Sequence, residues 1–135
     1  MLFNMKKFKT KNIFDERYFL YFEELNLFNQ CSKHKQKIYF ISDLYIKHLR
    51  ALSTTNTKTI SNLRSWHYMW SMFYYYKKNY SYILALKKTY LYILKDIIML
   101  LVYVSLFNKI QINKRFYRLY GAFASIIGLK SYLRP

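Results

Sequence analysis

The sequence predicts an all-α protein, a basic helical hairpin behind an N-terminal helical extension. The chain of 135 residues holds only two glycines and one proline, too few for the turns of a multistranded sheet. Residues 61–107 run without Pro or Gly, and within them Tyr82/Ile83, Leu86, Tyr90, Ile93/Leu94, Ile97, Leu100/Leu101 and Val104 recur at helical spacing. At about 100° per residue these positions form one continuous apolar stripe. Lys77, Lys88 and Lys95 fall almost opposite it. The length suits a single core.

In chain order, residues 12–28 read as a first helix, with Asp15, Glu16, Glu23 and Glu24 among Phe14, Tyr18, Phe19, Phe22 and Leu25. Residues 31–37 form a polar, basic connector. After the apolar run of residues 38–41, Ser42 and Asp43 offer N-cap chemistry for a helix reaching about Leu52. Residues 1–52 are therefore assigned to the extension and the Thr/Asn-rich residues 53–60 to a linker. Residues 61–135 make the hairpin. Its long helix covers about 61–107 and its second about 114–133, with a break at 108–113. Gly121, Ser125 and Gly128 place small residues along one flank of the second helix, where a neighbouring backbone can approach closely.

Charge is strongly one-sided. Twenty-three Lys and Arg stand against six Asp and Glu, a formal charge of +17. Residues 1–44 hold eight of the cations and five of the acids; residues 45–135 hold fifteen cations and Asp96 alone. Such a surface repels itself unless a polyanion neutralises it, which directs attention to RNA, DNA or an anionic membrane. Phe, Tyr, Met, Ile, Asn and Lys, all with AT-rich codons, make up more than half of the chain. That skew marks a very AT-rich genome, of which protist mitochondrial genomes are the common case. The N-terminus has neither the apolar stretch nor the cleavage site of a signal peptide, nor the Arg and Ser of a typical transit peptide. An organelle-encoded protein needs neither.

The candidate RNA-binding residues are the cations of the hairpin. Lys77, Lys78, Lys87, Lys88 and Lys95 lie along the long helix, where spacings of seven and eleven residues repeat at roughly 10 to 17 Å. Lys114, Arg115 and Arg118 cluster at the start of the second helix, a position where cations oppose the helix dipole and a phosphate would relieve them. Lys130 and Arg134 follow. Trp66, His67, Trp70 and Tyr74 are the candidates for stacking on splayed bases, with core packing as the competing role. Consecutive aromatics over residues 73–76 point around the helix and need several partners to bury them, as a large assembly provides.

Catalysis and metal binding have little to stand on. Cys31 and His34 have a metal-like spacing, but no second pair completes a zinc site. No serine sits in a nucleophile elbow, and the acids of residues 15–24 have no His partner. The expectation is a protein that is not an enzyme, with no cofactor, metal or small-molecule substrate. A membrane span is disfavoured because the apolar run of residues 97–107 is short and its backward extension meets Lys95 and Asp96. Each charge near a helix centre costs about 2.5 to 3.5 kcal/mol, against about 0.3 to 0.6 gained per Leu, Ile, Phe or Val.

The sequence also resembles the mitochondrial form of large-subunit ribosomal protein twenty-nine, over about half of the chain. The elements carrying the likeness are Leu49-Arg50-Ala51-Leu52-Ser53, Leu63, His67-Tyr68-Met69-Trp70, Lys77-Lys78-Asn79 and the segment from Arg115 to Leu133. The acid of that family before the His is missing, a Thr/Asn-rich insertion follows Ser53, and Gly121 and Gly128 stand where more charge is the rule. The resemblance implies a non-catalytic hairpin bound to large-subunit rRNA near the polypeptide exit, among neighbouring ribosomal proteins. The expectation is thus a structural constituent of the mitochondrial ribosome, in the matrix. The alternative is an accessory subunit of an inner-membrane respiratory complex, with residues 90–107 embedded beside other helices.

Overall fold

The computed structural model describes residues 13–39, 41–43, 45 and 58–131. They form four helices, α1 (Glu23–Lys33), α2 (Lys58–Asn79), α3 (Tyr82–Ser105) and α4 (Lys109–Ile126), and no strand among the described residues. The all-α expectation holds. Its hairpin becomes a three-helix bundle, because the single helix expected over 61–107 is two helices.

The break falls at Tyr80 and Ser81. Ser81 is extended, with φ −154° and ψ 162°, and its hydroxyl accepts the Leu84 N–H at 3.1 Å, the geometry of a helix N-cap. Lys77 and Lys78 close α2 where cations complement the C-terminal end of the helix dipole. The chain therefore reverses without Gly or Pro. A second reversal follows α3, where Phe107 takes a positive φ of 53° and the Asn108 side chain accepts the Gln111 N–H at 3.2 Å. That cap starts α4 at Lys109, within the stretch expected to be a break. At the far end, Gly128 has φ 84° and donates to Ser125 O, while Leu129 donates to Ala124 O at 2.9 Å. This paired closure of the last carbonyls ends α4 at Ile126, short of residue 133.

Cross-helix contacts fix the directions. Lys58 and Lys109 line one cleft, Trp66 meets Gly121, and the Trp70 indole N–H donates to Leu129 O at 3.0 Å, so α2 and α4 run parallel. Tyr82 meets Phe73, and Asp96 meets Arg115 and Arg118, so α3 runs antiparallel to both. The bulk of the core comes from α2, whose Trp66, Met69, Trp70, Met72 and Phe73 are all buried. Opposite them stand the small residues Ala85 on α3 and Gly121, Ala122 and Ala124 on α4. Large against small permits close packing.

The N-terminal segment folds differently from the expected helix over 12–28. Residues 13–22 are turns and bends lying across α2, and only Glu23–Lys33 is helical. Glu23 and Glu24 suit the first turn of α1. The chain enters it through Tyr21 and Phe22, both at φ 66°, a region sparsely used by aromatic residues. Ring contacts hold them there, Tyr21 on Tyr68 at 5.7 Å and Phe22 on Tyr75 at 5.5 Å. Leu27 and Asn26 then bury against the body, Asn26 Oδ1 accepting from the Asn79 amide at 3.1 Å. Ser42 and Asp43 lie in a turn; the helix expected to follow them falls outside the described residues. So does most of the linker, although its last residues, Lys58 to Ile60, already belong to α2.

Candidate functional site

The three sides of α3 organise the surface. The side packed on the bundle carries Ala85, Thr89 and Asp96, all buried. The Thr89 hydroxyl is satisfied within the helix by Ala85 O at 2.8 Å. Lys88 and Lys95, seven residues apart and so about 20° apart around the helix, lie exposed on a second side. The third side carries the apolar stripe. It was expected to be the buried face, yet Ile83, Tyr90, Leu94, Ile97, Leu101 and Val104 are all exposed, Leu101 by 67%. Only Ile93 and Leu100, at its edge, are partly covered. Ala85, Thr89 and the Asp96 carboxylate take the interior side instead.

Asp96 is the centre of the bundle's polar chemistry. Arg115 Nη1 donates to its Oδ1 at 2.6 Å and Arg118 Nε to its Oδ2 at 2.7 Å. Arg118 also reaches Met69 Sδ at 3.5 Å and lies over the Tyr68 ring, while Arg115 lies over Tyr103. Two guanidiniums on α4 thus share one fully buried carboxylate on α3. Both are candidate phosphate ligands; the structure turns them inward onto Asp96, leaving 16% of the Arg115 and 15% of the Arg118 side chain exposed. This also answers the dipole problem at the start of the second helix: α4 begins six residues before Arg115, and its partner is a carboxylate.

Three of the four aromatic candidates are buried in the core. Trp66 and His67 have no exposed surface and Trp70 has 2%, so they cannot receive a base in this fold. Trp66 stacks on Trp70 and both pack on Ala124; His67 lies against Phe19 and within 3.4 Å of Ser131 Oγ. Tyr74 is half-buried, and its hydroxyl donates to Asp15 Oδ2 at 2.9 Å.

Asp15 draws in one further candidate, Lys78, whose ammonium donates to Oδ2 at 2.6 Å. Burial pushes the Asp15 carboxyl up, but the Lys78 hydrogen bond, the Arg17 N–H and the Tyr74 hydroxyl, together with the charge of Lys78, outweigh it and hold the group below its ordinary value. Tyr74 is pushed up to about 12 by burial, then by its bond to Asp15 and that carboxylate's charge. Burial raises Tyr18 as well.

Of the remaining candidates, Lys87, Lys88, Lys95, Lys114 and Lys130 are exposed and form no ion pair among the described residues. Lys77 lies 5.6 Å from the Tyr82 ring centroid. Arg134 lies outside the described residues. One cationic feature escaped the sequence reading. The first turns of the parallel helices α2 and α4 converge on a cleft of about 60 Å³ lined by Lys58, Ser61, Asn62, Lys109, Ile110 and Asn113. Two helix starts there point their positive ends the same way. Sequence spacing holds no signal for it, since the two lysines meet only through the bundle.

Cys31 is a buried free thiol, and no three His, Cys, Asp or Glu converge among the described residues. No helix of the described residues is long and apolar enough to cross a membrane. Compared with known proteins, the chain matches no family model, no curated protein and no solved structure.

Proposed function

We propose that the chain is a non-catalytic structural constituent of the mitochondrial ribosome, in its large subunit, where exposed lysines of the three-helix body contact rRNA phosphates. One observation carries this reading. The body's single carboxylate, Asp96, is buried between Arg115 and Arg118, so no acid of the body is left for the lysines of its surface. Lys88 and Lys95 on one side of α3, Lys114 and Lys130 beyond it, and the cleft of Lys58 and Lys109 stand open to an external anion. Phosphate contacts of this kind give salt-dependent affinity without reading sequence. The AT-rich residue usage supports the mitochondrial compartment, and the resemblance in residues 49–79 and 115–133 supports the large subunit. Charge reversal at Lys88 and Lys95 tests the reading: the double Lys→Glu variant keeps its helicity by circular dichroism and loses cosedimentation with rRNA-containing particles. Unchanged incorporation would return that side of α3 to solvent.

A second reading, an accessory subunit of an inner-membrane respiratory complex, is favoured by the exposed apolar side of α3. Washing mitochondrial membranes with high salt and EDTA separates the two. Ribosomal particles carry the chain away in the first case, and only detergent releases it, with respiratory complexes, in the second.

A further inference from the structure

We infer that the outward side of α3 is a docking seam for one apolar helix of a different protein chain, a helix bearing a carboxylate opposite Lys87. The inference rests on the exposure of α3 and not on the rRNA reading.

Seven of the exposed positions of α3 follow a heptad. Lys87, Leu94 and Leu101 take position a, and Ile83, Tyr90, Ile97 and Val104 take position d, with alternating spacings of four and three residues through the 24 residues of α3. All seven are exposed. Leu91 and Ile98 flank them, at 68% and 52% exposure, making a ridge about 32 Å long at the helical rise. Leu at a with Ile and Val at d suits three- and four-helix arrangements, as when a helix already in a bundle accepts one more. The seam also winds about 20° around α3 per heptad. A helix crossing at a shallow angle follows that drift, whereas a flat bilayer surface does not.

Charge selects the occupant. Lys87 stands within the ridge, with Ile83, Tyr90 and Leu94 beside it, and none of the seam's own residues is acidic. A second copy would bring another lysine and no carboxylate, between chains of net charge +17 each. A single polar residue at an a position fixes the register of such pairs, and an acid facing Lys87 would fix this one. Lys87 thereby leaves the phosphate-binding set, while Lys88 and Lys95, on another side of the helix, stay in it.

The test uses the full chain and two synthetic 24-residue helices with a Leu/Ile seam, one with Glu and one with Lys at the position facing Lys87. Fluorescence anisotropy at physiological salt is expected to show the Glu helix binding about tenfold more tightly. Lys87→Glu should reverse that preference. The double variant Leu94→Asp, Leu101→Asp should lose both peptides with its circular dichroism unchanged, since both side chains are exposed. Equal binding of the two peptides, binding that survives Leu94→Asp with Leu101→Asp, self-association by sedimentation, or attachment to cardiolipin vesicles in place of either peptide would overturn the inference.

Discussion

Gly121 of α4 lies directly against the backbone of Trp66 in α2, so close that a Cβ at residue 121 would overlap the Trp66 carbonyl oxygen. The neighbour is backbone, which cannot swing aside, so α2 and α4 would have to part. Gly121→Ala is therefore expected to lower stability by about 1 to 3 kcal/mol, the range of overpacked cores. Thermal unfolding followed by circular dichroism measures it. Gly128→Ala acts through its backbone instead: open space surrounds that site, and the strain of φ 84° should cost about 1 to 2 kcal/mol.

Removing the carboxylate of Asp96 leaves two guanidiniums facing each other in the bundle. Asp96→Asn is expected to destabilise by about 3 to 5 kcal/mol, as when one partner of a buried ion pair is lost. Replacing all three groups together, Asp96→Leu with Arg115→Met and Arg118→Leu, should recover most of that loss. Chemical denaturation of the single and triple variants checks the pair. A triple variant no more stable than the single would assign the loss to packing and not to charge.

Acid should release the N-terminal segment from α2. Because the Asp15 carboxyl is held below its ordinary value of 3.8, it contributes stability above that pH, and the contribution disappears as pH falls through the lower folded value. The protection of the amides of residues 13–22 against exchange, relative to the intrinsic rate at each pH, is expected to fall below about pH 4 in the natural chain. In Asp15→Asn that protection should be low at neutral pH already.

Tyr74 has the opposite sign. Its folded value of about 12 lies above the ordinary 10.0, so its contribution is complete below pH 10.0 and is lost as pH rises toward 12. Tyrosinate absorbance should resolve a late-titrating tyrosine. In Asp15→Asn that group should ionise earlier, since the carboxylate's charge is gone and an amide oxygen accepts a weaker hydrogen bond.

How much of this was legible depends on whether the information is local. The helical character of residues 61–105 follows from periodicity and the scarcity of Gly and Pro, both visible in the string. The cap at Ser81 is written there as well, yet no Gly or Pro marks the reversal at Tyr80 and Ser81, and the tyrosines on either side keep the run reading as one helix. Which side of α3 turns inward is not a local property. The stripe of Ile83, Tyr90 and Leu101 has the greater hydrophobicity, but Asp96 meets Arg115 and Arg118 of α4 from another side of the helix, and Ala85 and Thr89 are buried with it. Similarly, Arg115 and Arg118 read as free cations until the fold brings Asp96 between them from nineteen and twenty-two residues away.

The salt bridges at Asp96 fix more than the pairing of two helices. Rolling α3 about its own axis by a single residue, about 100°, would carry the carboxylate off both arginines and strand three charges. One aspartate therefore acts as a rotational pin, and the sides that α3 turns to the outside world are decided from within. An altered pin would leave the lysines and leucines in place along the chain and send them to the wrong neighbours.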